Sequence, residues 1–246
     1  MRLSRLFINS PLIPGQLIDL PDESVHYLLT VLRLRVGTPL ILFNGQGGEY
    51  SARLTLATKK NAQLQVEAYY PIERESALTL TLVQAIARPD HTDYIIQKAV
   101  ELGVNRLIPI ITERTPPLNH NKLAKREHHW RKIIISACEQ CGRNRLPLLE
   151  PIQSIEQWLT QPPTNLAIVL APQGQNAFNY LINKEKSVSN ITVLIGAEGG
   201  LTANELQQAI NANYLDIHLG TRILRTETAA ITMLAICQSI WGDLSH

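Results

Sequence analysis

Cysteine is scarce in this chain of 246 residues, with three in all, and aromatic residues make up only 5% of it. Three thiols cannot build a disulfide framework, and a reducing compartment fits them best. No stretch approaches the roughly 18 uninterrupted apolar residues that a membrane-spanning helix needs. Phe7-Ile8, between Met1-Arg2-Leu3-Ser4-Arg5 and Asn9-Ser10-Pro11, is too short an apolar run for a secretory signal. Charge of one sign is also missing in bulk: 23 Lys and Arg stand against 21 Asp and Glu, a formal +2. What remains is 45% hydrophobic and 18% charged. That composition excludes disorder, collagen and a disulfide miniprotein, and it leaves chain enough for one large domain or two modest ones. A cytoplasmic protein without a membrane partner is the expectation.

The first seventy or so residues read as short β-prone runs. Leu17-Ile18-Asp19-Leu20, Pro39 to Phe43, Glu49 to Leu54 and Ala62 to Ala68 are candidate strands, and Asn44-Gly45 and Gly47-Gly48 supply tight turns. One helix interrupts them, from Ser24 to Leu32, with apolar positions at 25, 28, 29 and 32 and a close near Gly37. After the polar stretch Tyr70 to Ser76 the pattern changes. Leu78 to Ala87, Leu107 to Thr112, Leu166 to Ala171, Ile191 to Ile195 and Leu215 to Leu219 are near-continuous apolar strands, as in a parallel sheet covered on both faces. Helices are expected between them at Asp93 to Leu102, Leu123 to Cys141 and Glu227 to Trp241, and one opens on the capping box Thr202-Ala203-Asn204-Glu205. The reading is an α/β domain, 73–246, preceded by a small β-barrel-like domain, 1–72.

The near-neutral total hides an uneven distribution. Between residues 114 and 145, Arg114, Lys122, Lys125, Arg126, Arg131, Lys132, Arg143 and Arg145 face only Glu127 and Glu139. A local excess of this kind binds phosphates, although a solvated helix face has the same composition. With the pairs Arg2, Arg5 and Arg33, Arg35 it makes a nucleic acid the leading polymeric partner.

Cys138-Glu139-Gln140-Cys141 invites a redox or zinc reading, but the pair lies near the end of a predicted helix and Cys237 is the only other cysteine. Two helix-packing thiols fit better, and no histidine spacing points to a metal. Val193 to Thr202 says more: an apolar strand runs into Gly196-Ala197-Glu198-Gly199-Gly200 and then a capped helix, which puts backbone amides at the carboxyl end of a parallel strand. The spacing G-x-x-G-G matches neither the dinucleotide nor the triphosphate fingerprint. A second segment has the same plan. Ile217-His218-Leu219 ends at Gly220, a loop carries Arg222 and Arg225, and a helix starts near Thr226 with Glu227 in its first turn. Two such loops after successive strands point to one shared pocket.

At these segments the chain resembles the RsmE family of 16S rRNA uracil-N3 methyltransferases, in the SPOUT superfamily. The likeness extends over His26 to Gly37, Gln97 to Val104 and Trp130 to Pro147, so it covers nearly the whole chain in five ordered motifs. The resemblance implies a PUA-like RNA-binding β-barrel in front and a SPOUT α/β-knot domain with a parallel sheet and a C-terminal trefoil knot, working as a homodimer. It implies S-adenosylmethionine as cofactor, without a metal, held at Leu170, Ala171, Leu194, Ile195, Gly196, Glu198, Gly199, Gly200, Leu219, Gly220, Ile223, Leu224 and Arg225. Where the family usually has proline this chain has Ala197, a change worth about 0.4 to 1 kcal/mol of unfolded-chain entropy that leaves the loop amides in place.

The reaction so implied is methyl transfer to N3 of one 16S rRNA uridine, conventionally numbered 1498, within the small ribosomal subunit. N3 is an imide N–H and must lose its proton. Arg225 is the expected stabiliser of negative charge on a uracil carbonyl, with Glu198 or Glu227 orienting that arginine or accepting the proton. Arg2, Arg5, Arg33, Arg35, Arg114, Arg131, Lys132 and Arg143 are the expected RNA contacts. The alternative is an RNA-binding ribosome-assembly factor on the same scaffold without turnover.

Overall fold

A computed structural model of the chain describes residues 3–58, 60–117, 119, 123–184 and 187–245. They form two compact units, Met1–Glu75 with Cys138–Leu146, and Ser76–Ala137 with Pro147–His246.

The first unit begins with β1 (Ser4–Phe7), β2 (Leu17–Asp19), α1 (Asp22–His26) and a π-helical turn (Tyr27–Val31), and continues with β3 (Pro39–Phe43), β4 (Glu49–Ala57) and β5 (Ala62–Tyr70). The sheet order is β1-β3-β4-β5-β2, with β1 parallel to β3 and the other pairs antiparallel. Alternate residues face the core: Leu40 and Leu42 on β3, Ala52 and Leu54 on β4, and Leu64 and Val66 on β5 are fully buried. Register shifts at Ser51/Ala52 and Leu54/Leu56 bend the β4–β5 ladder. Among the described residues no pairing joins β2 to β1, so this is an open sheet rather than a closed barrel. The expected helix 24–32 is split in two, α1 giving way to the π turn after His26. Its apolar residues still reach the core, where Val25 and Leu28 are buried.

Arg5 is only 8% exposed. Its Nη1 lies 2.6 Å from Glu49 Oε2 and its Nη2 donates to Asn144 Oδ1 at 2.5 Å. Arg74 Nη1 donates to the same Glu49 oxygen at 2.8 Å, and Arg143, 5% exposed, pairs with Glu75. A guanidinium taken out of water needs a carboxylate partner, and each of these buried arginines has one.

The second unit comprises β6 (Thr79–Ala85), α2 (Pro89–Glu101), β7 (Val104–Ile111), most of α3 (Leu123–Cys141), β8 (Leu148–Leu149), β9 (Gln153–Ser154), α4 (Ile155–Leu159) and β10 (Leu166–Leu170). It continues with β11 (Asn176–Ala177), α5 (Phe178–Lys184), β12 (Asn190–Ile195), α6 (Ala203–Asn211), β13 (Leu215–His218) and α7 (Thr226–Trp241). Every pairing in its eight-stranded sheet is parallel. The order is β11-β13-β10-β12-β6-β7-β8, and β9 also pairs with β7. All five strands read from apolar runs are present, and β6, β7, β10 and β12 are buried along most of their length. The two-residue strands are too short to leave a periodic signal. Helix α2 begins at Pro89, four residues before the expected Asp93, because proline at the first helical turn needs no hydrogen-bond partner for its nitrogen. That earlier start brings Asp90 and His91 into the helix.

Candidate functional site

Strands β13, β10 and β12 are neighbours, and the segments leaving their carboxyl ends line a cavity of about 610 Å³. This is where parallel sheets generally hold ligands. Leu170 and Ala171 come from the end of β10 and beyond it, Ile195, Gly196, Glu198, Gly199 and Gly200 from the end of β12 and beyond it, and Leu219, Gly220, Ile223 and Leu224 from the segment after β13. Those eleven residues are all among the positions that the family resemblance implies. Of the remaining two, Leu194 is fully buried in the apolar core beside Val83 and Val169, and Arg225 lies just beyond the lining, which ends on that loop at Leu224. Arg222, on the loop that the sequence already pointed to, lines it as well; sequence reasoning missed Thr226, and Ile217, Leu201 and Leu206, whose apolar side chains could be told from ordinary core only by the fold.

The loop after β12 folds back on itself. Gly200 N donates to Ala197 O at 2.9 Å. A Cβ on Gly196 would stand 2.7 Å from the Gly200 carbonyl carbon and 2.9 Å from its Cα, so no side chain fits there. Gly200 and Gly220 take positive φ, +70° and +74°, and a Cβ on either would meet nothing within 4 Å. Bare backbone therefore faces open space at both places. Buried Thr226, the first residue of α7, donates from Oγ1 to Gly196 O at 2.7 Å, and Gln84 Nε2 donates to Thr226 Oγ1 at 3.1 Å. These bonds tie the glycine loop to β6 and α7.

A second anchor comes from the capping box. Glu205, 3% exposed, accepts Thr202 N at 2.7 Å with one oxygen and Glu113 N at 2.8 Å with the other. Next to Glu113, Arg114 donates from Nη1 to Gly199 O at 2.6 Å and to Leu201 O at 3.3 Å. Arg114 was expected on an RNA face; its contacts put it on the glycine loop, where it lines the cavity. Behind the segment that follows β10, buried Asp216 accepts Gln175 N at 2.8 Å and Asn176 Nδ2 at 3.0 Å.

The two expected carboxylates do not orient Arg225. That arginine is exposed at the N-cap of α7, and among the described residues it makes no ion pair. Glu198 and Glu227 instead converge on His91, whose Nδ1 is 3.2 Å from Glu198 Oε1 and 3.7 Å from Glu227 Oε2. Glu198 Oε1 also accepts Arg88 N at 2.8 Å. A histidine in the sequence Arg88-Pro89-Asp90-His91 carries no motif, so only the fold could show this cluster.

Of the other expected RNA contacts, Arg5 and Arg143 are corrected to structural roles, since both are buried against carboxylates and cannot meet a phosphate. Charge counting does not see burial. Arg33, Arg35, Arg131 and Lys132 are exposed, Arg33 with a left-handed φ of 55°. Arg2 lies outside the described residues. Cys138 is buried, and burial pushes its thiol up to about 12, which keeps thiolate away from neutral pH and fits a packing role. Among the described residues there is no group of three or more His, Cys, Asp or Glu side chains able to hold a metal, and no helix long and apolar enough to cross a membrane.

Residues 74–238 match the family model of an RNA methyltransferase domain, and residues 20–67 match that of an RNA methyltransferase PUA domain. A curated relative, the ribosomal RNA small subunit methyltransferase E of Buchnera aphidicola, is 33% identical over 99% of both chains. Among solved structures, the chain superposes with a TM-score of 0.94 on a putative methyltransferase of Legionella pneumophila in complex with the bound cofactor SAM, at 35% identity over 99% of this chain and all of that one. The ribosomal RNA small subunit methyltransferase E of Neisseria gonorrhoeae, bound to S-adenosyl methionine, superposes with a TM-score of 0.90 at 37% identity, over 99% of this chain and all of that one. With the glycine loops, the parallel sheet and the front unit all matched along its full length, the chain belongs to the ribosomal RNA small subunit methyltransferase E family.

Proposed function

We propose that the protein is an S-adenosylmethionine-dependent methyltransferase that methylates N3 of one uridine of 16S rRNA, the position conventionally numbered 1498, in the small ribosomal subunit. The observation that carries the reading is the cavity shared by the ends of β10, β12 and β13, walled by apolar side chains and by the bare backbone of Gly200 and Gly220. A flat, partly apolar ligand that contacts main chain fits such a wall, and the donor set needs no metal. Leu170, Ala171, Ile195, Gly196, Gly199, Gly200, Leu219, Gly220, Ile223 and Leu224 are the residues that would hold the cofactor. Bound there, it supplies an electrophilic methyl group on a sulfonium centre.

The protein's own side chains have two tasks in this scheme. Arg225 stabilises the negative charge that develops on a uracil carbonyl as N3 loses its proton. Glu198, on the cavity rim, is the carboxylate that takes that proton; Glu227 does not line the cavity and has one oxygen closed off from solvent. Exposed Arg33, Arg35, Arg131 and Lys132 hold the RNA backbone, the segments after β12 and β13 belong to a trefoil knot, and the enzyme works as a homodimer.

The test is mass mapping of 16S rRNA from cells with and without this protein. Loss of N3-methyluridine at one position is expected, and its persistence would overturn the assignment; an assembly factor without turnover would leave it in place. The cofactor site has a test of its own. Gly196→Ala forces Gly200 away, so S-adenosylmethionine affinity measured by calorimetry is expected to fall more than about tenfold, with a stability loss of about 1–3 kcal/mol.

A further inference from the structure

His91 sits in the first turn of α2 with carboxylates on several sides. From the glycine loop Glu198 Oε1 is 3.2 Å from its Nδ1, and from α7 Glu227 Oε2 is 3.7 Å from the same nitrogen. From α2 itself Asp90 Oδ2 is 3.8 Å from Nε2, and the Arg88 backbone amide donates to Glu198. Among the described residues no Lys or Arg side chain lies within ion-pair distance of Glu198 or Glu227. Both His91 Nδ1 and Glu227 Oε2 are closed off from solvent, and neither has a hydrogen-bond partner. A buried carboxylate oxygen without a donor is costly, so a nearby positive charge is what makes this arrangement stable. Among the described residues the His91 imidazole, when protonated, is the side chain placed to supply it.

We propose that His91 is a positioning residue, whose imidazolium clamps Glu198 of the glycine loop and Glu227 of α7 to the start of α2 and so sets how tightly the cavity holds its cofactor. The inference rests on the cofactor reading above. With the proton present, the cation draws the loop carboxylate and the helix carboxylate to one point. When the proton leaves, two carboxylates face a neutral ring and Glu227 Oε2 has no compensating charge. Glu198 belongs to the segment whose backbone walls the cavity, so loss of the clamp is felt as weaker binding. By linkage, a clamp that needs the proton makes cofactor affinity fall as pH rises.

The test is calorimetric titration of the full chain with S-adenosylmethionine at about pH 6 and about pH 8.5, on either side of the usual histidine range. Wild type is expected to bind at least about tenfold more tightly at the lower pH. His91→Lys, with a cation at both pH values, is expected to bind with nearly the same affinity at both, and His91→Gln to be equally flat but weak, near the wild-type value at the higher pH. The ligand's own ionisations are common to all three proteins, so the difference between profiles is the readout. A wild-type affinity that does not change with pH, or a wild-type pH dependence retained in His91→Lys, overturns the proposal. If His91→Lys does not fold, as judged by its thermal transition, His91→Gln decides alone: the proposal fails if that variant keeps the wild-type profile. Absence of binding by wild type at both pH values overturns the cofactor reading, and this inference with it; binding without the pH difference overturns only the inference.

Discussion

Glu49→Ala is expected to destabilise the protein by about 3–5 kcal/mol, read as a lower urea midpoint at an unchanged slope. Glu49 is 6% exposed and accepts from two guanidiniums, Arg5 at 2.6 Å and Arg74 at 2.8 Å. Arg74 reaches solvent at its side-chain surface, whereas Arg5 does not. Removal of the carboxylate therefore leaves a buried cation with Asn144, a backbone carbonyl and the face of the Phe43 ring beside it, and no counter-charge among these. Burial alone would push the Glu49 carboxyl up, but the hydrogen bonds from Arg74 and Arg5 outweigh it and hold the group below its ordinary 4.5. Because the folded value is the lower one, this stabilisation is fully present above about pH 4.5 and is lost as pH falls through the folded value. The gap between wild type and Glu49→Ala should therefore narrow in acid. An equal gap at pH 7 and well below 4.5 would show that the ion cluster is not what the substitution removes.

Arg225→Ala is expected to slow single-turnover methyl transfer by about 10²–10³-fold with saturating cofactor and ribosomal substrate, the usual effect of deleting one donor that meets developing charge. The side chain is exposed at the N-cap of α7, and the cavity wall on that loop ends at the preceding residue. Cofactor affinity should accordingly change little, which separates a role in charge stabilisation from one in holding the cofactor. Arg225→Lys keeps the charge but loses the planar fork, and partial recovery is expected. A wild-type rate in Arg225→Ala would remove this residue from the mechanism. Much of the acceleration could then be assigned to holding the reactants at attack distance.

The two readings of charge in this chain fared differently, for a physical reason. Thr202 and Glu205 form a capping box because the spacing of hydroxyl and carboxylate follows from helix geometry, which is local and therefore written in the sequence. Glu205 also accepts Glu113 N, 92 positions away, and no local pattern carries that bond. Likewise Arg5 and Arg143 look like phosphate ligands when charges are counted along the chain. Their partners are Glu49 and Glu75, and only the packed structure reveals that the guanidiniums have left the surface.

By itself the sequence determined the five core strands of the second unit, the long helices, and the two glycine loops after β12 and β13, because apolar runs, caps and bare backbone are properties of neighbouring residues. The family resemblance, carried by motifs along the chain, supplied thirteen expected cofactor positions, of which eleven line the cavity. Tertiary structure alone decided which strands stand side by side, and the order β13-β10-β12 brings the segment after β10 to the pocket that the two glycine loops already pointed to. The same long-range packing placed Arg114 on the glycine loop, drew Glu198 and Glu227 to His91 rather than to Arg225, and buried Arg5. Strand order and the environment of a charge depend on contacts between residues far apart in the chain, and composition, spacing and periodicity hold no record of those.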